Sequence, residues 1–390
     1  SRIRSIFKDS QNRLWISSFS TDGLVRYDGS NVLCFRTDDG LPSERVRAVC
    51  ERGDGSFVVA CTGGVAVIRD DVITETYGAG DGIENTEVLT VTAADDDEIV
   101  LGTDGGGIYV IKDGKTQYVG TEAGLSSEVV MRLYYDSGNS VYWIVTSNSI
   151  AWMDRNYNVT TVSNFPYSNN FDLYCNSHGQ MWVLGSDGIY VTTVKELLEN
   201  GDINTIHFGI ADGLVSITTS NSYSDLTPEG DLYISGSTGV SKINVNILEA
   251  SGDVSNIRIS IPCIIGDGDY YYPDSRGVFD IPSGVSKISI DTHVFTYSVV
   301  DPLVSCWLEG FDRDKTTTLR SGLEAMDYTN LSPGTYHFIV RVEDALGLAE
   351  ESSDFSITIN RKPAFHELLI VRTGFILLLA ALSALLVWRI

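Results

Sequence analysis

Positive charge is what this chain has least of. Its 390 residues carry 27 Lys and Arg against 52 Asp and Glu, a formal net charge of −25. Nucleic-acid binding draws on counterion release by clustered basic side chains. Here they are scattered, which argues against a nucleic-acid partner. Cysteine is equally thin: Cys34, Cys50, Cys61, Cys175, Cys263 and Cys306 form no C-x-x-C pair and have no histidine at ligand spacing. No zinc site is readable and no metal is expected. Spacing leaves open whether Cys50 and Cys61 pair across a hairpin. The five histidines, His178, His207, His293, His337 and His366, are singly placed, and no G-x-S-x-G, H-E-x-x-H, phosphate-loop or dinucleotide glycine pattern stands in a fitting context. No catalytic residue and no cofactor is therefore expected in this region. The chain opens on Ser1 without a Met or a basic-then-apolar leader, so it reads as a piece of a longer protein.

Glycine and tyrosine, by contrast, are abundant, 37 and 19 residues, beside only four Met. Stretches free of Gly, Asp or Asn are few, which favours short strands and many turns. A period is visible. The phrase "DDGLPSERVRAV" (38–49) returns as "GDGIENTEVLTV" (80–91) and "EAGLSSEVVMRL" (122–133), with Gly40, Gly82 and Gly124 at a constant spacing of about 42 residues. A degenerate copy surrounds "FPYSNN" (165–170), and another reads "ADGLVSITTS" (211–220). A second mark, a glycine or asparagine turn followed by an alternating run, recurs at Asp22, Gly63, Gly106, Asn148, Asp187 and Thr238. Each unit holds about four short strands. Such a sheet cannot bury both faces alone, so neighbours must stack, and radial stacking gives an all-β propeller of about six visible blades.

The first unit, "KDSQNRLWISSFSTDGLVRYDGSNVLCFRTDDGLPS" (8–43), resembles the two-component regulator propeller repeat of bacterial membrane sensors. Trp15, Trp143 and Trp182 keep that repeat's tryptophan, and Phe57, Ile99 and Tyr233 replace it; packing between blades is their expected role. The resemblance implies seven blades in the full protein. Residues 1–250 are assigned to this propeller.

From Ile257 to Asn360 the period stops and strands alternate with Gly, Pro and Asp turns, the pattern of an immunoglobulin-like β-sandwich. "CWLEGFDRD" (306–314) and "MDYTNLSPGTYHFIVRVEDALG" (326–347) resemble the triple-tyrosine domain that follows such propellers. Tyr328 and Tyr336 fit its tyrosines, as core and corner residues with hydroxyls tied to backbone, and Cys306 stands where another is usual. Residues 368–388 follow as an apolar run interrupted only by Arg372, long enough for one transmembrane helix. The resemblance implies that residues 1–365 are extracytoplasmic, on a bacterial cytoplasmic membrane crossed once, and that an output domain, of histidine kinase, diguanylate cyclase or DNA-binding type, lies beyond residue 390.

The expected function is the ligand-sensing portion of a signal-transduction receptor, not an enzyme, with a small molecule or oligosaccharide, by resemblance a saccharide, as ligand and a homodimer as the signalling unit. The alternative is a membrane-anchored propeller enzyme of lyase or lactonase type, or an adhesion module, acting on cell-surface polymers. Two aromatic segments are the candidate ligand contacts: Phe165, Tyr167 and Asn169 in an off-pattern loop, and Tyr270 and Tyr271 in "GDYYYPD". "ADDDE" (94–98) has the look of a calcium loop but falls at an inter-strand turn, and is read as a solvated turn.

Overall fold

The computed structural model describes residues 2–94, 98–166, 168–220, 222–246, 257–296, 301–343 and 353–389. The chain divides into two compact units, Ser1–Asn246 and Ile247–Ile390.

The first unit is a run of antiparallel meanders in chain order. Blade one is Ile3–Lys8, Leu14–Ser18, Leu24–Tyr27 and Val32–Phe35; blade two is Val46–Glu51, Phe57–Cys61, Gly64–Arg69 and Val72–Tyr77. Blade three is Val88–Ala93, Ile99–Thr103, Ile108–Lys112 and Lys115–Val119, and blade four Val130–Asp136, Val141–Thr146, Ile150–Met153 and Val159–Thr161. Blade five is Asn170–Cys175, Gln180–Gly185, Ile189–Thr193 and Ile206–Phe208. Blade six has three strands among the described residues, Asp225–Leu226, Asp231–Ser235 and Val240–Asn244.

The second strand of blades two to five is buried at every position. That burial follows from alternation between two neighbours. Phe57, Val59 and Cys61 pack with Trp15, Leu24 and Phe35 of blade one, while Val58 and Ala60 pack with Val91, Ile99 and Leu101 of blade three. Trp15 packs at a tilt on Phe57 of the next blade, 4.3 Å between ring centroids. Trp143 belongs to the cluster that joins blade four to Leu173, Met181 and Val183 of blade five.

The repeated glycine mark closes a 3-10 turn in four units, with Gly40, Gly82, Gly124 and Gly213 at φ between 91° and 108°. An L side chain is disfavoured there, which is why the glycine recurs. The residue before it, Asp39, Asp81 or Asp212, accepts the backbone N–H three positions earlier at 2.8 to 2.9 Å. The next residue, Leu41, Ile83 or Leu125, is buried under the turn. Blade five adds a helix, Val194–Glu199, which the expectation of about four short strands per unit does not include. Its start is nonetheless written as a capping box: Thr193 Oγ1 accepts from the Glu196 N–H at 3.1 Å.

In the second unit, one sheet runs Asp269–Tyr271, Ile264–Gly266, Lys287–Ile290, Met326–Thr329, and the other Val278–Ile281, Ser353–Arg361, Gly334–Glu343, Leu303–Glu309, Thr316–Leu319. Arg258–Ser260 pairs with His293–Phe295. The two larger sheets share one core, in which Ile264, Ile288, Ile290 and Tyr328 meet Phe279, Val304, Phe338, Val340 and Ile357. A C-terminal helix spans Leu369–Arg389, with Phe375, Ile376, Leu377, Leu378 and Leu382 exposed. Among the described residues no helix is long and apolar enough to cross a membrane.

Candidate functional site

The first strand of each blade carries the site because it lies innermost: these strands adjoin one another from blade one through blade five. Each is interrupted by a β-bulge at the same place. The pairing skips Arg4 in blade one, Arg47 in blade two, Leu89 in blade three, Met131 in blade four and Phe171 in blade five. A bulge turns the strand and re-aims its side chains. The residue after it then reaches the next blade. Ser5 donates to the Arg47 carbonyl at 3.2 Å, Thr90 Oγ1 accepts from the Leu133 N–H at 3.3 Å, and Arg132 Nε donates to Asp172 Oδ2 at 3.3 Å.

Blade six enlarges this feature. Thr218 bridges to Gly236, and pairing resumes only at Asp225 opposite Tyr233. The excursion between them brings Tyr223 to residues from three other blades. Its hydroxyl donates to the Arg47 carbonyl at 3.1 Å, and the guanidinium carbons of Arg132 and Arg4 lie 4.0 and 5.8 Å from its ring centroid. The backbone carbonyl of blade two and side chains of blades one, four and six meet here, which places Tyr223 at the propeller axis. Arg132 Nη2 also donates to the Ser222 carbonyl at 2.9 Å, and the Tyr174 hydroxyl to the Ser224 carbonyl at 2.6 Å.

Beside Tyr223 opens a cavity of about 330 Å³ lined by Arg132, Leu133, Tyr134, Trp143, Asp172, Leu173, Tyr174, Cys175, Asp225 and Leu226. Burial pushes the Asp172 carboxyl up, against the opposing pull of Arg132. Burial also raises the Tyr174 phenol well above its ordinary value, with Asp172 adding to it, so the ring stays neutral and donates. Burial opposes the charge on Arg132 too, but Asp172 and the two tyrosines outweigh it and hold the proton in place. Arg4 is moved the other way, first by burial and then by Arg47 and Arg132. The result is a fixed cation and carboxylate, the Tyr174 phenol and an exposed ring, Tyr134, around one opening. Such a set orients a polar ligand by hydrogen bonds and stacking.

The candidates read from sequence lie elsewhere. Phe165 is half-buried against the core between blades four and five, edge-on to Tyr190 at 5.6 Å. Asn169 is exposed and its carbonyl accepts from the Ser186 N–H. Tyr167 falls outside the described residues. Tyr270 is exposed on its strand, while Tyr271 turns toward the core of the second unit. Tyr336 donates to the Ser332 carbonyl at 2.9 Å, as a corner tyrosine should. Tyr328 departs from the expected backbone tie: its hydroxyl donates to the carboxylate of Asp312, in the turn after Leu303–Glu309, at 2.8 Å. The "ADDDE" stretch is also corrected. Residues 95–97 lie outside the described set, but Ala94 and Glu98 are buried, and Glu98 is held by Lys112, Arg155, Tyr142 and Tyr157. A carboxylate with two cations and two phenols has no need of water or calcium. Among the described residues no cluster could hold a metal ion. All six cysteines are free, because Cys50 pairs in register with Val58 and Cys61 with Val46.

Residues 1–20 match the two component regulator propeller family. No curated protein matches the chain. Among solved structures, the chain is similar to one described as the extracellular domain of a hybrid two component system from B. thetaiotaomicron, with a TM-score of 0.63 at 16% identity over 93% of this chain and 50% of that one. A second such domain from the same organism gives 0.50 at 14% identity, over 93% and 50%. PorZ, a surface component of the type-IX secretion system of Porphyromonas gingivalis, gives 0.50 at 12% identity, over 92% and 51%. At such identities these likenesses establish the propeller-containing fold. The chain spans about half the length of each of these three structures.

Proposed function

We propose that this chain is the extracytoplasmic ligand-sensing part of a single-span bacterial receptor that detects a saccharide and signals through a dimer to a histidine kinase or diguanylate cyclase output. The observation that carries this reading is a propeller, matched at its first blade to the regulator family, that gathers polar and aromatic groups on its axis beside a cavity. A saccharide presents hydroxyls that planar charged groups bind and an apolar ring face that an aromatic covers. Arg132, Asp172 and Tyr174 supply the first, and Tyr134 the second. The cavity lies at the lower end of the volumes typical of small-molecule sites.

The membrane part of the proposal rests on the sequence of residues 368–388, an apolar run interrupted only by Arg372, and not on any helix among the described residues. Arg372 would extend to the near interface, and Trp388 with Arg389 would sit at the far one. One helix per subunit has nothing to move against within its own chain. A signal therefore requires a second copy and two arrangements of the pair, biased by ligand. The test is a panel of oligosaccharides offered to the whole chain in lipid nanodiscs. Saturable binding with recovery of intact glycan supports sensing. Cleavage of the glycan, or no binding across a broad panel, overturns it.

A further inference from the structure

In blades four and five, the connection entering the blade meets the hairpin between its second and third strands, and side chains close the corner. Ser127 and Ser147 hydrogen-bond at 3.1 Å, as do Ser126 and Ser149, and Ser168 donates to Asp187 at 2.7 Å. In blade three that hairpin reads Asp104, Gly105, Gly106, Gly107. Asn85 Nδ2 fastens one edge by donating to the Asp104 carbonyl at 2.9 Å, and the glycines leave the rest open. A Cβ on Gly106 would lie 2.3 Å from the Asn85 Cβ, while one on Gly105 would face open space. The outcome is a cavity of about 330 Å³ lined, besides glycines, by Glu84, Asn85, Tyr109, Tyr118 and Glu128. It shares no lining residue with the cavity on the axis.

The charge in this corner is of one sign. No Lys, Arg or His lines it, and neither Glu84 nor Glu128 forms an ion pair with a described residue. Glu128 Oε1 accepts from the half-exposed Tyr118 hydroxyl at 2.7 Å. That bond, then burial, then the neighbouring Glu128, Tyr109 and Glu122 push the Tyr118 phenol up to about 12. A cleft lined by one sign of charge concentrates the opposite sign. Tyr109 adds a donor: it is 3% exposed, its oxygen accepts the Asn85 N–H at 3.3 Å, and its proton has no acceptor among the described residues. A buried hydroxyl left so is unfavourable until an acceptor arrives. The Tyr118 ring, 5.5 Å from that of Tyr109, offers its face to a cation.

We infer that this corner of blade three is a second binding site, for a small hydroxylated amine such as an amino sugar. The ammonium faces Glu84 and Glu128 beside the Tyr118 ring, and a ligand hydroxyl oxygen accepts from Tyr109. Neutral sugars lack the group that answers the two carboxylates. The site goes beyond the sensing role proposed for the axis and does not depend on it.

The whole chain in nanodiscs is titrated calorimetrically with glucosamine, ethanolamine and glucose, as wild type, Glu84→Gln, the double variant Glu84→Gln with Glu128→Gln, and Tyr134→Ala at the axis cavity. Thermal melts confirm folding, and the exposed Glu84 has no described partner to lose. Glucosamine is expected to bind about tenfold more tightly than glucose and to weaken with added salt. It should lose about threefold in Glu84→Gln and about tenfold in the double variant, and nothing in Tyr134→Ala. Ethanolamine bound as tightly as glucosamine, with the same losses, upholds the site and assigns it to small amino alcohols. Glucose bound as tightly as glucosamine, glucosamine affinity unchanged in the double variant, or binding lost in Tyr134→Ala overturns the site and leaves the sensing proposal standing. Failure of both amines to bind also overturns it.

Discussion

Asp9 shows how one side chain can fix a blade. Its carboxylate accepts the Trp15 indole N–H at 2.9 Å, the Arg13 Nε at 2.6 Å and two backbone N–H groups of its own turn. Asp136 repeats the contact to Trp143 at 3.1 Å. In blade five the equivalent residue is Asn176, which turns its amide to Gln180 and Val245, and the buried Trp182 Nε1 has no partner among the described residues. Asp9→Ala is expected to cost about 2 kcal/mol, since it strands a buried indole N–H and two turn donors; urea unfolding measures it. These carboxylates also set an acid limit. Burial raises Asp54, but its bonds to Ser56 and Arg69 prevail and hold it at about 2, against 3.8 unperturbed, and Asp9 and Asp136 are likewise depressed. A depressed folded value means stability that is present above the unfolded value and lost as pH falls through the folded one. The urea midpoint is therefore expected to hold from pH 6 to 5 and to drop steadily between pH 4 and 2; a midpoint that rises on acidification would contradict this. Little of the axis site was legible at this scale. Arg132 and Asp172 are 40 residues apart, and only the oddity of a charge inside "VVMRL" and "NFDLYC" hints that each faces a partner.

At the scale of the element, the glycine turns separate two causes of the same constraint. At Gly213 an added Cβ would meet nothing within 4 Å, so Gly213→Ala is expected to cost only the left-handed backbone, about 1 kcal/mol. At Gly124 the same Cβ would lie 2.2 Å from the Val159 carbonyl oxygen, and about 3 kcal/mol is expected. Equal losses at the two sites would refute the distinction. The third unit also lacks the acidic cap, with Ala123 where the others have Asp. Ala123→Asp should supply the acceptor for the Gly120 N–H and add about 1 kcal/mol, read as a rise in melting temperature. These turns, and the blades between them, were readable because a turn and its period are local. The bulges were not: a bulge is defined by the register of two strands, and the sequence of one does not reveal which residue the other skips. The excursion that carries Tyr223 reads simply as a polar loop, "TTSNSYSD".

For the molecule as a whole, a net charge of −25 repels polyanions at large. The tryptophan-bearing strands, the bulges and the blade-six excursion bring distant residues to one axis, and the apolar C-terminal helix ends the second unit. The sensing proposal stands or falls on whether that axis binds ligand. The most direct measurement is calorimetric titration of the oligosaccharide panel into wild type and Tyr134→Ala, a substitution at the cavity mouth, where Tyr134 is 48% exposed and bears little of the core. Saturable binding that weakens at least tenfold in Tyr134→Ala, with an unchanged melting temperature, is expected. Affinity identical in the two proteins would move the ligand away from the axis and contradict the site described here.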